Sequence, residues 1–213
     1  MDFKIILLLS CLICLGCKPG RDKAGDPAEN AKAGCPEEMA RIPGMNACID
    51  RWEAMIEKRE GREFAVSRTS VLPARNTSFN QASAACANSG KRICALDEWD
   101  RACEGGEKRK FPYGELFKKE ACNCVELYGD PRKSELKPTG SMPECKTPDG
   151  VFDMSGNLWE WTDGKDQTGN LRLLRGGGYS NQEYLLHCRT KDNAFQPVDT
   201  PYDGYGFRCC KDL

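Results

Sequence analysis

The sequence predicts an α+β domain with little regular secondary structure, held together by disulfides. Pro, Gly and Asn punctuate the chain so often that long elements are few: 21 glycines and 12 prolines are spread over 213 residues. Only two stretches, near Phe79–Asn88 and Asp97–Glu104, carry apolar residues at helical spacing. Fourteen cysteines complete the pattern, and such density outside the cytoplasm marks a cross-linked fold.

The opening residues set the compartment. Lys4 supplies a positive charge, and Ile5 to Leu15 is an apolar run too short to cross a bilayer as a helix. It ends in Leu15-Gly16-Cys17, the small-residue-then-Cys ending of a bacterial lipoprotein signal. The expectation is cleavage before Cys17 and acylation, palmitate included, of its thiol and new amine. The chain would then be anchored to a membrane surface rather than spanning it. A short buried helix or an ordinary secretory signal is the alternative. Residues 1–16 thus read as a signal peptide, residues 17–34 as a flexible tether rich in Gly, Pro, Ala and alternating charge, and residues 35–213 as the folded domain. Lys18 is not the Asp that retains lipoproteins at the inner membrane, which favours the outer membrane where there are two.

A formal net charge of −1 gives no basic field for nucleic acid and no acidic tail for a basic partner. Eleven cysteines follow Cys17, an odd number that leaves at least one thiol unpaired. No CxxC pair follows the signal and His187 is the only histidine, so a zinc site would need thiolates alone.

The elements follow in order. Ala47–Arg51 reads as a short strand, and Cys35 and Cys48 bracket a loop containing Pro43-Gly44 that a bridge would close as a hairpin. Asn76-Thr77-Ser78 offers caps for the first helix, and Gly90 stops it. Phe79, Ala82 and Cys86 face the core. The second helix presents Trp99, Ala102 and Cys103 on one side and ends at Gly105-Gly106. Gly150–Met154, Leu171–Arg175 and Gly206–Cys210 read as further strands. Adjacent Cys209 and Cys210 point to opposite faces of a strand and should serve separate bridges. Cys122 and Cys124 share a face, so one of them is the natural spare.

Four segments carry a family resemblance: Cys86 to Gly106 with Phe111-Pro-Tyr-Gly114; Pro138-Thr-Gly-Ser-Met-Pro143; Gly150-Val-Phe-Asp-Met-Ser-Gly-Asn-Leu-Trp-Glu-Trp161; and Leu174-Arg-Gly-Gly-Gly-Tyr179 with Gly206-Phe-Arg-Cys209. From Glu37 to Lys211 the chain resembles the formylglycine-generating enzyme, or sulfatase-modifying factor, family. The resemblance implies a C-type-lectin-like fold and the bridges Cys86–Cys209 and Cys103–Cys188. Plausible geometry adds Cys35–Cys48, Cys94–Cys210 and Cys122–Cys145, with Cys124 free. Each bridge typically contributes about 2–4 kcal/mol.

Catalytic members of that family hold Cu(I) with two cysteines lying between the Arg-Gly-Gly element and the cysteine of the second bridge, and convert a substrate cysteine to formylglycine. Soft thiolates suit Cu(I). Here the interval from Arg175 to Cys188 contains no other cysteine. Counting forward from Arg175 puts Asn181 at the first catalytic position; counting back from Cys188 puts Glu183 at the second. Copper is therefore not expected, unless Cys188 and Cys124 form a new pair. His187 stands alone beside an expected bridge and reads as a solvated or packed side chain rather than a ligand.

The resemblance also implies a calcium loop, with carboxylates from Asp153 and Glu160 and backbone carbonyls from Gly156 and Leu158, an all-oxygen set that suits a hard cation. The alternative is a Gly-Asn turn with Glu160 as a buried hydrogen-bond acceptor. Asn123 matches one ligand of a second calcium site whose loop is shorter here. Trp159 and Trp161 read first as core and second as a stacking surface, and Arg175 with its three glycines as a turn first and a groove floor second. Tyr179, Tyr184, Tyr202 and Tyr205 are candidates for a binding face. The leading expectation is a membrane-tethered, non-catalytic domain binding a peptide, glycan or protein partner. The competitors are an oxidase with displaced ligands and a purely structural envelope lipoprotein.

Overall fold

The computed structural model describes residues 34–190 and 194–213. Cys17, the signal and nearly all of the tether lie outside the described residues, and no helix among the described residues is long and apolar enough to cross a membrane.

Three small sheets and two short helices make up the domain. The first sheet contains β1 (Met39–Arg41), β2 (Ala47–Asp50), β5 (Arg92–Ile93) and β10 (Cys209–Asp212) in the order β1-β2-β10-β5, all antiparallel. It joins the two ends of the domain, since β10 pairs with β2 from Cys210–Ile49 to Asp212–Ala47. A separate hairpin pairs β3 (Ala54–Arg59) with β4 (Arg62–Ser67) through the tight turn Glu60-Gly61, where both residues have positive φ. The third sheet has the order β8-β7-β6-β9, from β6 (Trp159–Lys165), β7 (Leu171–Arg175), β8 (Ala194–Pro197) and β9 (Tyr205–Gly206). Within it β9 runs parallel to β6.

Helix α1 (Phe79–Asn88) begins at Ser78, whose hydroxyl accepts from the Gln81 N–H at 3.2 Å, and stops at Gly90 with φ +67°. Helix α2 (Leu96–Glu104) follows Ala95, which offers no capping oxygen. Glu98 Oε2 accepts from the Ala95 N–H at 2.8 Å and Asp163 Oδ1 from the Leu96 N–H at 2.9 Å, so other side chains satisfy the first turn. A single helical turn, α3 (Val125–Tyr128), follows Cys124.

The bonded pairs are Cys35–Cys48, Cys86–Cys209, Cys94–Cys210, Cys103–Cys188 and Cys122–Cys145, with Cys124 free and buried. Cys209 and Cys210 fasten opposite faces of β10, one to α1 and the other to Cys94, directly after β5. One apolar cluster gathers Trp99, Ile49, Val151 and Met154; a second gathers Trp161, Leu174, Phe207 and Ala82. Trp161 is fully buried, donates Nε1–H to the Thr77 carbonyl at 2.8 Å and meets Phe79 and Tyr205 edge-on.

Two strand expectations need correction. Gly150–Met154 is not a strand: it forms one isolated bridge, Lys146 with Phe152, because Gly150 and Asp153 both turn at positive φ. Gly206–Cys210 is split into β9 and β10 at Phe207-Arg208. The loop that replaces the first strand is packed without slack. A β-carbon at Gly156 would lie 2.1 Å from the Asn123 carbonyl oxygen, at φ +75°. Gly44 has a similar φ, +74°, with open space around it. Gly44→Ala should cost about 1 kcal/mol of backbone strain. Gly156→Ala should cost at least about 3 kcal/mol, since the loop must also move off Asn123. Denaturant unfolding of the two variants reads the difference directly.

Candidate functional site

The loop following Gly150 converges on a buried polar hub. Glu160 and Arg208 are both fully buried and meet at two points: Nε donates to Oε2 and Nη2 to Oε1, each at 2.6 Å. Trp99 donates its indole N–H to the same Oε2 at 2.6 Å. The remaining Arg208 donors reach the carbonyls of Asp50 at 3.0 Å and Phe152 at 2.8 Å. Glu53, also fully buried, accepts from the Leu158 N–H at 3.0 Å and the Asn157 side-chain amide at 2.5 Å. Asp153 Oδ2 accepts from the Gly140 N–H at 2.7 Å.

This geometry is the Gly-Asn turn, with Glu160 as a hydrogen-bond acceptor. Both Glu160 oxygens are committed to a guanidinium and an indole, and a dication placed there would press on the buried Arg208. The calcium set Asp153, Gly156, Leu158 and Glu160 thereby loses its second carboxylate. Calcium takes six to eight oxygens, and the set is left with Asp153, one of whose oxygens already accepts from the Gly140 N–H, beside two backbone carbonyls. Asn123 is likewise occupied. Its amide donates to Asn157 Oδ1 at 2.8 Å and to the Glu135 carbonyl at 3.0 Å, while its oxygen accepts from the Tyr128 hydroxyl at 3.1 Å. The residues present do not fit the implied ion.

At the catalytic positions of the family, Asn181 closes a turn: its side-chain oxygen accepts from the Gly178 N–H at 2.8 Å and its backbone N–H donates to the Gly178 carbonyl at 2.9 Å. Glu183 sits on a 3-10 turn, 183–185, with its N–H donated to Glu126 Oε1 and its carboxylate 3.7 Å from Lys110 Nζ. Cys188 is consumed by Cys103, so the alternative copper pair with Cys124 does not form. Burial, together with the nearby Glu126 carboxylate, pushes the Cys124 thiol up to about 11. His187 stands edge-on to Phe111 at 5.1 Å, and burial and Lys110 lower its pKa.

Three of the four candidate tyrosines do gather. The Tyr179 hydroxyl donates to Asp203 Oδ2 at 3.0 Å, and Arg75 Nη1 reaches the same oxygen at 3.3 Å. Tyr202 and Tyr205 have ring centroids 4.9 Å apart. Backbone bonds set this face. The Tyr179 N–H donates to the Asn157 carbonyl, the Trp159 N–H to the Gly204 carbonyl, and the Thr77 N–H to the Tyr205 carbonyl. The exposed Tyr184, on the 3-10 turn, shares none of these contacts. Arg75 and Asp203 were not legible as members of the face; only the tyrosines were.

Around Arg208 the hub carries three carboxylates against one guanidinium. Burial, then the neighbouring Asp153 and Glu160, holds Glu53 well above the usual carboxylate range, and burial pushes Asp153 up to about 7. Both groups keep protons in the folded state at pH values where the unfolded chain, titrating near pH 4, has lost them. Their contribution is complete below that pH and is lost as the pH rises through the folded values. Unfolding free energy should therefore fall between about pH 4 and pH 7 as Asp153 passes from its unfolded to its folded value, by up to about 1.4 kcal/mol per unit, with Glu53 acting in the same direction. Asp153→Asn should flatten the slope, and millimolar calcium should leave the midpoint unchanged.

Residues 31–213 match the model of the sulfatase-modifying factor enzyme 1-like domain. The chain is 30% identical over 188 residues to the inactive Cα-formylglycine-generating enzyme 2 of Mus musculus, covering 81% of this chain and 61% of that protein. It is 26% identical over 179 residues to the formylglycine-generating enzyme of Mus musculus, covering 72% and 48%. It thus spans less than two thirds of either relative. Among solved structures, PvdO from Pseudomonas aeruginosa has a TM-score of 0.58 at 18% identity, over 78% of this chain and 80% of that one. Treponema denticola variable protein 1 has a TM-score of 0.59 at 12% identity, over 83% and 99%. These two likenesses concern the fold. Taken with the hub and the Arg175–Cys188 interval, the family match makes the assignment: the chain belongs to the sulfatase-modifying factor enzyme 1-like family, whose members include formylglycine-generating enzymes and inactive forms.

Proposed function

We propose that this protein is a non-catalytic, lipid-anchored member of its family that binds a peptide, glycan or protein partner outside the cytoplasm, through the face around Tyr179, Tyr202 and Tyr205. The observation that carries the reading is the fate of the sulfur. A two-thiolate Cu(I) site needs two free thiols, and among the described residues Cys124 is the only unbonded one, buried and held as a thiol. Asn181 and Glu183 replace the missing pair with side chains already engaged in the local structure. Similarity to a relative described as inactive supports the same reading. Five disulfides support an oxidising compartment. The lipid anchor, and with it an outer-membrane location, rests on the Leu15-Gly16-Cys17 signal.

Thiol and copper titrations test the claim together. A chain beginning at Gly34 should show no reactive thiol when native and one when denatured without reductant, and should bind no stoichiometric Cu(I). One copper per chain with oxidation of a cysteine peptide to formylglycine would return the protein to the oxidases. For the anchor, Cys17→Ala should move the protein from the membrane to the soluble fraction; unchanged fractionation would remove the tether from the proposal.

A further inference from the structure

We infer that the face around Asp203 recognises a neutral sugar ring, without a metal ion; this rests on the reading of that face as the ligand site. The first observation is a tyrosine ring laid open. Tyr202 is 59% exposed, with its ring edge against the backbone of Gly204, where a β-carbon would come within 3.3 Å of it. Tyr205 supports it at 4.9 Å and is itself braced edge-on against the buried Trp161. The ring is therefore held in place before any ligand arrives, which lowers the ordering cost of binding. The negative face of such a ring attracts the polarised C–H groups of a pyranose.

The second observation is an ion pair only half satisfied. Arg75 and Tyr179 both direct their donors at Oδ2 of Asp203, leaving Oδ1 without a protein partner among the described residues. The Arg75 and Asp203 side chains remain 53% and 56% exposed. A carboxylate oxygen that accepts, beside guanidinium N–H groups that donate in a fixed plane, matches two neighbouring hydroxyls, each both donor and acceptor. Asp203 and Arg75 offset each other's charge, so the pair exerts no net pull on an anionic or a cationic ligand. A neutral polyol is what remains.

The third observation concerns the centre of the face. A folded protein partner would bury about 800 Å² per side around an apolar centre, whereas the centre here is an exposed ion pair. A single sugar ring needs only the stacking surface and the adjoining polar pair.

Saturation-transfer NMR on the full-length protein in detergent tests the inference, with glucose, galactose, mannose and N-acetylglucosamine as probes. At least one should receive saturation on its ring C–H protons, with a Kd of about 1 mM or tighter. EDTA should leave the signal unchanged. Tyr202→Ala should weaken binding at least about tenfold, Tyr202→Phe should retain it, and Asp203→Asn should weaken it while all three keep the wild-type melting midpoint. Absence of transfer to all four sugars, or transfer indifferent to Tyr202→Ala, would overturn the sugar assignment. In that event a protein or peptide ligand lost in Tyr202→Ala would leave the binding face standing, whereas copper-dependent cysteine oxidation would remove both readings.

Discussion

The structure depends on one buried ion pair. Glu160 on β6 and Arg208 between β9 and β10 meet at two points of 2.6 Å with no exposure of either side chain. Desolvating two charges is expensive, and only full satisfaction of their hydrogen bonds offsets it. That satisfaction comes from distant parts of the chain: Trp99 on α2, and the carbonyls of Asp50 at the end of β2 and Phe152 in the loop. The pair therefore joins the first sheet, the third sheet and α2 at a single point. It also accounts for the break between β9 and β10, because Arg208 must turn into the core while Cys209 and Cys210 resume pairing with Ile93 and Ile49.

The same pair decides what the loop can hold. Glu160 is bonded through both oxygens to Arg208 and through one to Trp99, so the seat the family motif implies lacks its second free carboxylate. Asn157 completes the substitution. Its amide bridges Glu53 and the Lys137 carbonyl, and its oxygen accepts from Asn123 and the Lys137 N–H. These contacts order the loop, and it in turn supports Tyr179 through the Asn157 carbonyl. The Arg175–Cys188 interval, which contains no other cysteine, leaves this support intact, so the scaffold presents a defined face around Tyr179.

Much of this was legible in the sequence. Local signals gave both helices, because Ser78, Gly90 and Gly105 act within a turn of where they stand. Adjacent Cys209 and Cys210 forced two bridges by strand geometry. The hairpin of β3 and β4 stayed hidden because its sequence, Ala54 to Ser67, is densely charged and lacks clean alternation. The strand expected at Gly150–Met154 failed because Asp153 adopts positive φ, which an alternating pattern does not reveal. Glu160 was ambiguous for a deeper reason: a buried carboxylate suits calcium or arginine equally well, and the arginine lies 48 residues away. Arg75 and Asp203 were invisible for the same reason, being 128 residues apart.

A double-mutant cycle on Glu160 and Arg208 measures the central interaction most directly. Glu160→Gln and Arg208→Met should each cost about 3–5 kcal/mol, since each leaves a charge buried without its partner. Together they should cost clearly less than the sum, with a coupling of about 2 kcal/mol or more. Additive losses would mean that the two side chains are stabilised independently, and the ion pair would lose its place as the point on which the fold converges.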